Sequence, residues 1–250
     1  MIIHNSLNSI IFKNYLKIIF GFFILFSEAL KATENTYIGY ASSLHNVMKE
    51  IIKDYEKQSD IKLKFGMGSS GNIAQQIMRD APYDIFISAN KKWINYLDKH
   101  QKIKESQPWI SNSLSIIGSM RSIENLTLNA NQRFCLADPK NAPLGLYSRE
   151  AINALNLRIP DNQIIFLKDA ASVQYYLSIN ECDYAITYSS NILNFENNVD
   201  VHNIPSNLYS DITYEIGILK LNKDTQDFVN YLQQPSVLGI LKNHGFIIDR

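Results

Sequence analysis

Four short segments set hydroxyl groups and free backbone N–H groups at the front of apolar helical patterns. They are Ala41-Ser42-Ser43-Leu44, Gly68-Ser69-Ser70-Gly71, Asp138-Pro139 with Pro143-Leu144-Gly145-Leu146-Tyr147, and Thr187-Tyr188-Ser189-Ser190. Hydroxyls and unpaired N–H groups at helix starts form a neutral anion trap, with the positive end of the helix dipole behind them. None of the residues just named is a lysine, arginine or histidine. That donor set suits a small, fully ionised oxyanion, which offers only acceptors. Each motif also has a plainer reading. Ser43 alone reads as an N-cap, the glycines around Ser70 make turns, and Tyr188 alone is a strand-end aromatic filling a core.

The elements that must position these groups alternate between strand and helix. Tyr37–Tyr40 reads as a short strand, and Leu44, Val47, Met48, Ile51, Ile52 and Tyr55 then recur with helical spacing. Ile61–Phe65 alternates with period two, Ile73, Ile77 and Met78 mark a helix, and Asp84–Ser88 is a third strand before the helix of Trp93, Ile94 and Leu97. Strands are expected again from Leu114, at Phe134–Ala137, Ile164–Leu167, Tyr184–Thr187 and Thr213–Leu219, with helices from Tyr147 to Leu155 and Val173 to Ile179. Two helices close the chain, the second opened by Pro235 and stopped at Gly245. Repeated strand–helix units imply an α/β fold with parallel strands and helices on the sheet faces. In such sheets ligands bind beyond the carboxyl ends of the strands, where Ser43 and Ser70 fall.

Composition narrows the class. The chain has 250 residues, with 24 Lys plus Arg against 24 Asp plus Glu, and this balance disfavours nucleic acid as a partner. Lys13 and Lys17 precede the apolar run Ile18–Phe26, and small residues follow at Ser27, Ala29 and Ala32. That order reads as a secretory signal peptide over residues 1–32, cut after Ala29 or Ala32. The run is shorter than the about 20 residues of a membrane-spanning helix. The remaining chain would carry 21 positive and 23 negative side chains, a net charge of −2. No cysteine lies near the signal segment to carry a lipid anchor. The two cysteines, Cys135 and Cys182, each sit at or near the start of an expected strand, and export permits a disulfide; two separate buried thiols fit the sequence equally well.

Taken in order, these segments resemble the periplasmic molybdate-binding proteins of ABC transporters. The resemblance runs through Ala41–Leu44, Gly68–Ile77, Ala81–Asn90 with Trp93, Asp138-Pro139, Pro143-x-Gly145-x-Tyr147, Glu150-Ala151, Asn180-Glu181, Ala185–Ser190 and Tyr231 to Phe246. It spans essentially the whole chain after the signal segment. It implies a two-lobed type II periplasmic-binding-protein fold, each lobe a mainly parallel sheet flanked by helices, with the anion in the cleft. Lobe one would comprise residues 33–112 plus 218–250, and lobe two residues 113–217, joined by crossover strands near Asn112–Gly118 and Tyr214–Leu219. The family's ligand contacts fall on Ser43 and Ser70 as hydroxyl and backbone donors, Leu144 and Ala170 as backbone donors, and Tyr188 as a phenol donor. Relatives carry alanine and valine at the positions of Leu144 and Ala170, and often glycine at Ser189; a backbone N–H survives such a change.

The resemblance implies a monomeric periplasmic protein that captures molybdate or tungstate and passes it to a membrane ABC permease. No cofactor and no directly ligated metal are expected. Discrimination from sulfate would rest on cavity size, because the ions share charge and shape. Two other readings stand beside it. One is the same fold holding sulfate, phosphate or an iron complex. The other is a serine hydrolase built on Ser70, although the histidines at 4, 45, 100, 202 and 244 form no metal motif and no nucleophile–base–orienter set is visible.

Overall fold

In a computed structural model the chain is described over residues 35–123, 126–192 and 200–248. The expected signal segment, residues 1–32, lies outside the described residues. The described residues include ten strands, one of them of three residues, and seven α-helices. In chain order they are β1 Thr36–Ala41, α1 His45–Gln58, β2 Leu63–Gly68, α2 Ser70–Met78, β3 Ile85–Ser88, α3 Lys91–Lys99, β4 Glu105–Asn112 and β5 Leu114–Gly118. Then follow β6 Phe134–Ala137, α4 Pro143–Ala154, β7 Ile164–Leu167, α5 Ala170–Ser178, β8 Tyr184–Tyr188, β9 Val201–Asn203, β10 Ile212–Ile218, α6 Lys223–Leu232 and α7 Pro235–Asn243.

The strands form two five-stranded sheets, ordered β2-β1-β3-β10-β4 and β7-β6-β8-β5-β9. Each is mixed in the same way. β1 pairs in parallel with β2 and β3, and β6 in parallel with β7 and β8. The remaining pairings, β3–β10–β4 and β8–β5–β9, are antiparallel. The strand–helix repeats supply the parallel half, since parallel neighbours need a crossover helix. The antiparallel half comes from the chain passing between the sheets. It leaves the first sheet at Asn112 and enters the second at Leu114, so Ser113 alone makes the first crossing. It returns between Asn203 and Ile212. The strand Ile212–Ile218, which the sequence reading divides at residue 217, pairs along its length within the first sheet.

Central strands read as unbroken apolar runs because both faces are covered; all four residues of Ile85–Ser88 and of Phe134–Ala137 are buried. On one face of the first sheet, Val47, Met48 and Ile51 of α1 join Phe228, Leu232 and Leu241 in a core that runs on into the second sheet. On the other face, Ile73 and Ile77 of α2 meet Phe86, Ile94 and Leu97. A fully buried side chain of this kind contributes about 1.5–3 kcal/mol.

The helix starts are set by local chemistry. Ser69 caps α2 by accepting from the Asn72 N–H, Asp169 caps α5 by accepting from the Ser172 N–H and hydroxyl, and Pro143 opens α4. Ser43 does not cap a helix. It lies in a single 3₁₀ turn, Ser42–Leu44, that runs straight into α1, and neither start carries a side-chain cap.

Cys135 in β6 and Cys182, just before β8, form a disulfide with Cα atoms 5.8 Å apart. β6 and β8 are neighbours, so the bridge staples their leading ends and closes a loop spanning 47 positions. In the chain-entropy account a loop of that length stabilises by about 4 kcal/mol. Replacing both cysteines by alanine should therefore lower the unfolding free energy by about that amount. Denaturant titration of the oxidised wild type and the double variant measures it, and the variant should be insensitive to reductant.

Candidate functional site

The five residues expected to hold a ligand come together. Ser43, Ser70, Leu144, Ala170 and Tyr188 all line one small cavity of about 10 Å3 between the two sheets. Ser43 and Ser70 arrive from the first sheet's βα turns, and Leu144, Ala170 and Tyr188 from the second. Ser42, Ser69 and Ala89 line it too. Among the described residues, no charged or imidazole side chain contributes to its wall.

Three helix starts and the 3₁₀ turn meet here. Ser70 and Ala170 are the first residues of α2 and α5, and Leu144 is the second of α4. N–H groups at these positions have no acceptor within their own helix. A side chain at Gly145 would run into the backbone of Ala137–Asp138, so only glycine lets α4 begin this close to the end of β6.

Each hydroxyl has a distinct environment. The Ser70 Oγ accepts from the Ala89 N–H at 3.1 Å, which leaves its own proton for another acceptor. The Ser43 Oγ meets the Tyr214 phenol at 2.8 Å. Tyr188 is 1% exposed, and its phenol oxygen is buried with no hydrogen-bond partner among the described residues. An unmet buried hydroxyl costs about 1–3 kcal/mol, and such a group next to a cavity marks a place where an acceptor belongs. Burial pushes the Tyr188 phenol well above its ordinary range, and the neighbouring Tyr214 and Tyr147 add to the shift. Tyr188 therefore keeps its proton and can donate it at any physiological pH.

The two sheets touch around the cavity. The Gly71 N–H donates to the Asn141 carbonyl at 2.9 Å, and the Ala171 N–H to the Ser42 Oγ at 3.3 Å. The Asn90 amide donates to the Tyr147 hydroxyl at 2.7 Å, and that hydroxyl in turn donates to the Ala89 carbonyl at 3.3 Å. A Cβ built on Gly71 would stand 2.6 Å from the Asn141 carbonyl oxygen, so the cross-sheet contact needs a glycine.

Sequence reasoning passed over Asn112 and Tyr214 as parts of this site. Asn112 lies 78 positions from Ser190 and 102 from Tyr214, and Tyr214 lies 171 from Ser43; no local pattern betrays such a pairing. The hydrolase reading finds no base: the His45 ring nitrogen meets the Tyr40 hydroxyl at 3.2 Å, and no cluster of potential metal ligands occurs among the described residues. A larger depression of about 560 Å3, lined in part by Met67, Phe166, Lys168 and Tyr175, flanks the start of α5. It brings together neither the helix starts nor the partnerless hydroxyl.

Two α/β sheets joined by short crossings, with an uncharged donor cavity between them, define a two-lobed solute-binding protein. The chain belongs to the bacterial extracellular solute-binding protein family, whose pattern matches residues 36–247. It is 29% identical over 222 residues to the molybdate-binding protein ModA of Haemophilus influenzae, covering 82% of this chain and 87% of that one. It is 27% identical over 225 residues to ModA of Escherichia coli K12, covering 83% and 87%. The periplasmic molybdate-binding protein of Azotobacter vinelandii superposes with a TM-score of 0.79 at 18% identity, covering 86% of this chain and all of that one.

Burial raises the Tyr214 phenol to about 12, partly offset by its hydrogen bonds with Ser43 and Asn112. In the unfolded chain a tyrosine titrates near 10. The unfolded state therefore loses its proton first, so stability is full below pH 10 and falls as pH rises towards about 12. Denaturant titrations across that range should show the decline, and Tyr214→Phe should reduce its slope by one proton's worth.

Proposed function

We propose that this protein captures molybdate or tungstate outside the cytoplasm and delivers it to a membrane ABC permease. The observation that carries the reading is the Tyr188 hydroxyl, partnerless among the described residues, in a cavity where three helix starts and four serines converge without a cation. The names of the relatives supply the particular ion. Ser43, Ser70 and Tyr188 donate through side chains, and Leu144 and Ala170 through backbone N–H groups. A cavity of about 10 Å3 suits a compact ion, whereas organic ligands occupy pockets of about 300–1,000 Å3. The protein binds rather than catalyses: among the described residues the cavity wall carries no carboxylate or imidazole side chain.

Hydrogen bonds to a charged group contribute about 1.5–3 kcal/mol each, so several fixed donors offset much of an anion's desolvation. Exclusion of water strengthens every one of them. The ion takes donors from both sheets and favours the form in which the sheets are drawn together. Each sheet with its helices acts as a lobe, and the crossings at Ser113 and between Asn203 and Ile212 absorb the movement. No helix among the described residues is long and apolar enough to cross a membrane.

Isothermal titration tests the assignment. Molybdate and tungstate should bind tightly and sulfate weakly. Ser70→Ala and Tyr188→Phe should each weaken molybdate binding by about 1.5–3 kcal/mol. Sulfate binding as tightly as molybdate would overturn the choice of ion. Gly71→Ala tests closure: its Cβ would crowd the Asn141 carbonyl across the cleft and the Trp93 ring beside it, so molybdate binding should weaken and the melting temperature should fall. X-ray scattering should show ligand contracting the wild type more than this variant.

A further inference from the structure

The serines around the cavity are polarised in one sense. The Ser42, Ser69 and Ser70 oxygens accept from the N–H groups of Ala171, Asn72 and Ala89 at 3.3, 3.2 and 3.1 Å. A backbone N–H cannot reverse its role, so each of these hydroxyls has its proton left to give. Ser43 is the exception. Its partner is the Tyr214 hydroxyl, and between two hydroxyls either can donate.

Asn112 removes that freedom. Its side-chain oxygen accepts from the Ser113 N–H at 2.9 Å and the Ser190 N–H at 3.4 Å. Two converging donors fix which end of the amide is oxygen. The NH2 end then donates to the Ser190 Oγ at 2.8 Å and the Tyr214 hydroxyl at 3.4 Å. Ser190 can accept because it has an acceptor for its own proton in the Asn191 side chain, at 3.4 Å. Tyr214 receives from Asn112, so its proton goes to Ser43, and the Ser43 proton faces the cavity. Tyr214 is wholly buried, and Asn112 and Ser190 nearly so, which shields the chain from water that would scramble its direction.

We propose that Asn112 and Tyr214 are positioning residues that hold Ser43 as a hydrogen-bond donor towards the cavity, so that loss of either relaxes discrimination against anions that retain a proton. The proposal rests on the oxyanion reading of the site. At neutral pH molybdate, tungstate and sulfate carry no proton, whereas every phosphate species carries at least one. A retained proton needs an acceptor. The cavity wall contains no carboxylate, amide or imidazole side chain among the described residues, and the Ser42, Ser69 and Ser70 oxygens already accept from backbone N–H groups. Size cannot make this distinction, because sulfate and phosphate are nearly the same size.

The test measures affinities for molybdate, sulfate and phosphate at pH 7 by titration and competition. It uses wild type, the near-isosteric Tyr214→Phe, and Asn112→Leu, with melting temperatures alongside. Wild type should prefer sulfate to phosphate. Without the relay Ser43 is free to turn its lone pair inward, so the sulfate-to-phosphate affinity ratio should fall about tenfold in both variants. A purely structural role would weaken all three ions together and leave the ratio unchanged, which overturns the proposal. So does a wild type that does not discriminate against phosphate. Failure of the wild type to bind any of the three ions instead removes the oxyanion reading, and this inference with it. If Asn112→Leu does not fold, Tyr214→Phe alone decides.

Discussion

A dianion held without a cation must be neutralised by dipoles, and dipoles act only at short range and in one direction. Every donor must therefore point inward before the ion arrives, because turning donors round on binding would cost much of what the contacts contribute. That requirement accounts for the arrangement around the cavity. Helix starts supply N–H groups whose direction is fixed by the helix itself. Backbone N–H groups then occupy lone pairs on Ser42, Ser69 and Ser70 and turn their protons away. Tyr188, whose hydroxyl has no hydrogen-bond partner among the described residues, is held by burial and by its ring contact with Tyr214.

Because no one sheet presents enough such groups, two are needed, and this links binding to shape. Each sheet brings its βα turns to the same edge, and the cavity exists only where the edges meet. Polar contacts that bring them together include Gly71 with Asn141, Ala171 with Ser42, and Asn90 with Tyr147. Bonds of this type contribute about 0.5–1.5 kcal/mol each. A handful of them is small enough for a bound ion to shift the balance between open and closed forms. The apolar core, in contrast, runs continuously from the first sheet into the second.

Much of this was legible in the sequence, for a physical reason. Helices with one buried face and strands buried on both faces leave strong periodicities, and α1, β3, β6 and the final helix α7 appear where the pattern puts them. β4 escaped notice because Glu105–Pro108 is exposed and polar and includes a proline, as an edge strand permits. β9 is only three residues long. The five candidate ligand residues were legible through their turns. Their supports were not. Asn112 and Tyr214 look like an unremarkable strand end and a core aromatic until the strand order places them beside Ser43. The disulfide stayed open for the same reason, since Cys135 and Cys182 become neighbours only when β6 and β8 pair.

The strand order also bears on when the molecule can become itself. β10 lies inside the first sheet, between β3 and β4, although it is the last strand to be made. The second sheet uses one continuous stretch, β5 to β9, and can assemble as soon as that stretch has emerged. The first sheet cannot. Its opening strands are synthesised first and must wait, with a gap at the centre, until Ile212–Ile218 arrives to join them. Domains usually fold in the order they leave the ribosome, and here that order is reversed. A polypeptide threaded through a membrane as an unfolded strand has the same need: its leading part must stay unstructured until the trailing part is through. The wiring of the first sheet ties its completion to the arrival of Ile212–Ile218.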